Sequence, residues 1–223
     1  MSGTGKTPPG TTPPGTGGAG QPGPDHGSDR VIGLYRRHAA AFDRLRGRNL
    51  TERAWLDRFL APLAPGAGVL DLGCGAGEPI AAYMVARGFR VTGVDAAPGL
   101  LDLARDRLPD EEWIERDMRG LALGRRFAGI LAWDSFFHLS ADDQRGMFPV
   151  FRDHAAPGAM LLFNGGPAAA VAIGEFQGEP LYHASLDGAE YRALLADAGF
   201  TVLEHRIEDP DCGGRTVWLA RAG

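Results

Sequence analysis

Apolar and polar positions along this chain fall into short runs that switch between helical and strand periods. Over residues 31–46, Leu34, Tyr35, His38, Phe42 and Leu45 recur at spacings of three and four, which predicts a helix. Trp55, Phe59, Leu60 and Leu63 repeat the pattern over residues 51–63, with Thr51 as the expected N-cap. Compact apolar runs and amphipathic segments then alternate. Strands are expected at 69–72, 90–94, 113–115, 128–133 and 160–163, and helices at 78–87, 98–108, 140–154 and 187–198. Two further strands, 201–207 and 216–220, close the pattern without a helix between them, and Pro210, Gly213 and Gly214 supply a turn.

Strand–helix alternation with short, uniformly apolar strands predicts an α/β fold whose parallel sheet is covered on both faces. The last two strands are expected to form an antiparallel hairpin. Residues 1–29 break this regime, with nine glycines, six prolines and no large apolar side chain beyond Met1. Such a segment buries too little to offset the entropy of ordering it, so 1–29 is expected to be a disordered tail and 30–223 one domain. The stretch 164–185 reads as a loop long enough to suggest binding or a lid.

The sharpest local signal is Val69-Leu70-Asp71-Leu72-Gly73-Cys74-Gly75-Ala76-Gly77. A buried strand ends in an acid, and three glycines at alternate positions lead into a helix. Glycine allows a tight turn and close approach of backbone to ligand at the carboxyl end of the strand. A dinucleotide loop more often reads G-x-G-x-x-G and sets a helix N-terminus against a pyrophosphate. Here Asp71 precedes the glycines, which suits a cationic ligand better than a polyanion. The next strand ends in Asp95, where a carboxylate can accept two ribose hydroxyls, followed by Ala96. Asp117 and Met118 follow the third strand, an acceptor and an apolar surface for an adenine.

These motifs, with Trp133-Asp134 after the fourth core strand, resemble the class I S-adenosylmethionine-dependent methyltransferases of small-molecule type. The resemblance covers residues 31–223. It implies a doubly wound, mostly parallel seven-stranded sheet of Rossmann-like methyltransferase type, with N-terminal lid helices and an antiparallel last strand. It also implies S-adenosylmethionine as cofactor. Gly73, Cys74, Gly75 and Gly77 would flank its methionine part, Asp95 its ribose, Asp117 and Met118 its adenine, and Trp133 would lie near the sulfonium. Tyr35 would close over the cofactor from the lid, or simply pack.

Base methylation within this superfamily goes with an Asn/Asp-Pro-Pro-aromatic loop, and this chain has Asp134-Ser135-Phe136-Phe137 instead. The formal net charge is −5 and basic residues are interleaved with acids. A small-molecule acceptor is therefore expected, and no nucleic-acid partner. His138 and His183, after the fourth and fifth core strands, are the candidate catalytic residues, as proton acceptors or as holders of the acceptor. Glu179, Tyr182 and Tyr191 are weaker candidates. No histidine or cysteine spacing fits a metal, and Cys74 and Cys212 make no disulfide framework. No apolar run reaches the ~18 residues of a bilayer span, and no basic-then-apolar leader is present, so a cytoplasmic protein is expected. Two other functions stay open at this level: an NAD(P)-dependent oxidoreductase, and a domain that binds S-adenosylmethionine without turnover.

Overall fold

The computed structural model describes residues 26–223. Most of the expected glycine- and proline-rich tail lies outside the described residues. Residues 26–29, counted with the tail on composition, form the opening turn of helix α1 (His26–Leu45). Tertiary contacts explain the earlier start: Ser28 is buried and the Asp29 carboxylate pairs with Arg119. Helix α1 is kinked at His38, where φ is −112° and ψ 21°. Helix α2 spans Arg53–Leu60. Glu52 rather than Thr51 sits at its N-cap position without a side-chain cap, because the Thr51 hydroxyl donates to the Glu52 carboxylate instead.

The alternating core follows: β1 (Gly68–Leu72), α3 (Ile80–Ala86), β2 (Arg90–Asp95), α4 (Pro98–Arg107), β3 (Glu112–Glu115), β4 (Phe127–Ala132), α5 (Ala141–His154) and β5 (Ala155–Gly165). A β6–β7 hairpin (Ala170–Phe176, Glu179–Ser185) is followed by α6 (Gly188–Asp197), β8 (Phe200–Asp209) and β9 (Arg215–Ala222). Seven strands form one sheet in the order β3-β2-β1-β4-β5-β9-β8. Strands β3, β2, β1, β4 and β5 are parallel, and β9 runs antiparallel between β5 and β8. The expected doubly wound sheet with an antiparallel last strand is the one observed.

Alternation along the strands divides the core. Leu70, Ile130, Leu161, Phe163 and Trp218 pack on one face under α5 and α6. Val69, Leu131, Leu162 and Leu219 pack on the other with Trp55 and Phe59 of α2 and Met84 of α3. Strand order reverses between β1 and its two neighbours β2 and β4, which opens a crevice outside the carboxyl ends of these strands.

The stretch expected to be a long loop is largely the β6–β7 hairpin, a two-stranded sheet of its own. Its turn is Gln177-Gly178, with both φ angles positive (55° and 79°), the geometry that matches the twist of paired strands. Phe176 and Leu181 of the hairpin pack against Val31 and Leu34 of α1 in a small cluster separate from the two sheet cores. Helix α1 and the hairpin together form a cap over the crevice. Among the described residues, no helix is long and apolar enough to cross a membrane.

Candidate active site

The 73–77 loop leaves β1 in a conformation that only glycine adopts freely: Gly73, Gly75 and Gly77 have φ of 77°, 56° and 76°. A Cβ at Gly73 would overlap the side chain of Ser135, which comes from the segment after β4. Ser135 in turn donates to the Leu72 carbonyl (2.6 Å), so the two strand ends are stitched together. Gly77 answers a different need, since a Cβ there would press on Trp113, Ala104 and Leu108. It lets the loop pack against α4 and β3 and lines neither cavity described below.

Two adjoining cavities occupy the crevice and share Tyr35, Phe42, Gly73, Gly75, Asp134 and His138. The first is mostly apolar and extends past Asp95 and Ala96 to Asp117, Met118 and Leu100. The second contains Asp71, Cys74, Trp133 and Arg46. Tyr35, Asp71, Gly73, Cys74, Gly75, Asp95, Ala96, Asp117, Met118, Trp133 and His138 thus line one continuous site. His183 does not line either cavity; it stacks behind His138 and Phe137, with ring centroids 4.8 and 5.3 Å away.

Asp95 organises the loop as well as facing the cavity. Its Oδ2 accepts from the Gly75 amide (2.9 Å) and its Oδ1 from the Ala97 amide (2.8 Å). Burial raises its pKa against those hydrogen bonds. Asp71 is buried nearby, and its pKa is pushed up to about 7 by burial first and then by the negative charge of Asp95, with Arg46 opposing. The same surroundings raise the Cys74 thiol well above its ordinary value, so Cys74 is an inert wall of the site. A buried and a half-buried carboxyl close together, with a cavity beside them, form a site poised for a cation. The indole N–H of Trp133 is buried without a hydrogen-bond partner, leaving a donor available beside the acids.

Asp117 is held by Arg119, which contacts it through its backbone amide (2.9 Å) and guanidinium (2.6 Å). That guanidinium also reaches Asp29 of α1 (2.7 Å) and Asp143 of α5 (3.1 Å). The cap is therefore pinned at the edge of the first cavity. Asp134 is buried and engaged on both oxygens by Arg215 of β9 (2.9 and 2.8 Å), with Arg46 and Asn164 also attached. Burial opposes its ionisation, yet the Arg215 pair holds its pKa below the ordinary range.

Tyr35 of α1 hydrogen-bonds the Nε2 of His138 (3.0 Å), and the Nδ1 of His138 lies 2.8 Å from the Tyr182 carbonyl on the hairpin. Burial, reinforced by His183, drives the pKa of His138 down to about 3, so its ring is neutral. The weaker candidates fall elsewhere. Tyr191 is buried in the sheet core, where it donates to Gln144, and Glu179 sits at the cap surface, paired with Arg37 and hydrogen-bonded to His38. Arg46, Arg119 and Ser135 were not identified from sequence. Arg46 and Ser135 act through partners distant in the chain, and Arg119 joins its neighbour Asp117 to the distant Asp29 and Asp143, so no local motif marks them.

A methyltransferase-domain family model matches residues 69–158. Magnesium-protoporphyrin O-methyltransferase of Rhodobacter capsulatus is 36% identical over 102 residues, 44% of this chain and 44% of that protein. Trans-aconitate 2-methyltransferase of Azoarcus sp. is 35% identical over 110 residues, 46% of this chain and 40% of that protein. The matches thus span less than half the length of these relatives. Among solved structures, the fold is similar to 1,6-didemethyltoxoflavin-N1-methyltransferase of Burkholderia thailandensis, with bound 1,6-didemethyltoxoflavin and S-adenosylhomocysteine. The TM-score is 0.70 at 20% identity over 92% of both chains. The matched segment carries the glycine loop and the strands from β1 to β4, and together with the fold it supports a class I S-adenosylmethionine-dependent methyltransferase.

Proposed function

We propose that this protein binds S-adenosylmethionine in the continuous site under the cap and transfers its methyl group to an oxygen or nitrogen of a small organic acceptor. The observation that carries the reading is the row of acids at the ends of β1, β2 and β3. Asp71, Asp95 and Asp117 succeed one another around a glycine loop, the first two with raised pKa. A pyrophosphate would have to lie against these carboxyls, which disfavours a dinucleotide. A ligand with an ammonium and a sulfonium relieves their repulsion instead.

In this reading Asp95 takes the ribose hydroxyls, and Asp117 with Met118 takes the adenine. The 73–77 loop flanks the methionine portion. Arg46 and the unpartnered Trp133 N–H are the donors in the second cavity suited to a carboxylate. The bound cofactor supplies an activated methyl group on a good leaving group. The chain's own residues then need chiefly to align the acceptor and exclude water. Of the two histidines expected at the acceptor, His138 faces the cavities with both nitrogens engaged, which favours holding over proton abstraction. His183 lines neither cavity and packs behind His138, so its part in this reading is to support the His138 ring.

The relatives are named for magnesium-protoporphyrin and trans-aconitate, which supports a small molecule as the nucleophile. Calorimetry with S-adenosylmethionine should show binding. Incubation with a metabolite extract should give a product heavier by one methylene, together with S-adenosylhomocysteine. Absence of cofactor binding would refute the reading. Binding without turnover on any acceptor would favour a non-catalytic binding domain.

A further inference from the structure

The Tyr35–His138 contact lies where the two cavities join, and both residues line both of them. The direction of its proton follows from valence. The Tyr182 carbonyl can only accept, so the hydrogen at 2.8 Å belongs to His138 Nδ1. A neutral imidazole carries one hydrogen, and burial together with His183 keeps this ring neutral. Nε2 is then a bare acceptor, and the Tyr35 hydroxyl 3.0 Å away donates to it. Burial and the charges of Asp134 and Asp95 keep the phenol protonated, so the proton is present to donate.

We propose that His138 is a positioning residue that takes up the only proton of the Tyr35 hydroxyl, so that Tyr35 offers nothing but oxygen lone pairs to the site and thereby favours a sulfonium over a neutral thioether. The proposal rests on the cofactor reading above. Lone pairs beside a cationic sulfur attract its polarised methyl hydrogens, whereas a neutral sulfur gains little from them. Were His138 unable to accept, the hydroxyl would be free to turn its hydrogen toward the cavity, and the same residue would repel the cation. Because the Tyr182 carbonyl fixes the His138 tautomer, the β6–β7 hairpin contributes to charge selection without touching the ligand.

The test is the ratio of dissociation constants for S-adenosylhomocysteine and S-adenosylmethionine, measured by calorimetry on the full chain without any acceptor. Tyr35→Phe and His138→Phe should each lower this preference for the sulfonium by about fivefold, the scale of a weak hydrogen bond to a charged group. His138→Gln, whose amide oxygen can still accept, should retain it within about twofold. A general loss of packing would weaken both ligands together and leave the ratio unmoved. An unchanged ratio in Tyr35→Phe, with both ligands binding, overturns the proposal even if His138→Phe fails to fold. Failure of the wild-type chain to bind either ligand overturns the cofactor reading itself, and this inference with it.

Discussion

Asp71 shows most directly how one residue trades stability for binding. Its folded pKa of about 7 stands above the ~3.9 of an unfolded aspartate. The folded state therefore favours the protonated carboxyl. That contribution is complete below pH ~4 and is lost as pH rises to about 7. Asp71→Asn should leave stability nearly unchanged at pH 4 and raise it at pH 8, by as much as ~4 kcal/mol at ~1.36 kcal/mol per unit, in urea unfolding of the ligand-free chain. Binding of the cationic cofactor should draw Asp71 back toward ionisation and release protons near pH 6. Calorimetry in two buffers of different ionisation enthalpy measures that release, and none would mean Asp71 does not sense the ligand. Asp95 acts by hydrogen bonding instead. Asp95→Ala removes the proposed ribose acceptor and frees the Gly75 and Ala97 amides, so S-adenosylhomocysteine affinity should fall by on the order of 2–4 kcal/mol.

Among the elements, β4 and β9 are joined across the intervening β5 by the Asp134–Arg215 pair, both partners about nine-tenths buried. Removing one member of a buried pair leaves the other charge stranded. Arg215→Ala is thus expected to cost ~3–5 kcal/mol in denaturant unfolding. A loss under ~1 kcal/mol would show that Arg46 and Asn164 suffice to hold Asp134. Helix α1 depends on several contacts at once: the small cluster with the hairpin, alanine packing on α4, and the Asp29–Arg119 link. Beyond its kink at His38, Phe42 packs on Phe176 of the hairpin and, with Arg46 just past the helix end, lines the second cavity.

For the molecule as a whole, the point at which the domain begins has a measurable consequence. A chain starting at His26 should keep the thermal midpoint and cofactor affinity of the full sequence, since residues 1–25 offer nothing to bury. One starting at Arg30 loses Asp29 and the buried Ser28, and should bind cofactor several-fold more weakly. Equal behaviour of the two would mean that the opening turn of α1 does not hold the cap. With a net charge of −5, the protein should show no measurable association with duplex DNA at ~150 mM salt by fluorescence anisotropy. A micromolar, salt-sensitive complex would contradict the small-molecule reading.

The sequence by itself determined the sheet, the glycine loop and the acids at the strand ends. Parallel strands buried on both faces must be apolar throughout, and the tight turn at Gly73 and Gly75 must be glycine, so both leave marks within a few neighbouring residues. Asp71, Asp95 and Asp117 were legible for the same reason, each lying at or just past the end of a strand that periodicity locates. The tertiary structure decided what depends on distant partners. The start of α1 at His26 rests on Arg119, ninety positions from Asp29. Hairpin β6–β7 escaped notice because its exposed β6 positions show no clean alternation, and only the Gln177-Gly178 turn hinted at it. Gly77, expected beside the cofactor, lines neither cavity and packs against Trp113, Ala104 and Leu108. The proton held between Tyr35 and His138 spans 103 positions, and its direction is set by a third residue on the hairpin. Through-space hydrogen bonding of this kind leaves no period and no motif, which is why only the folded chain reveals it.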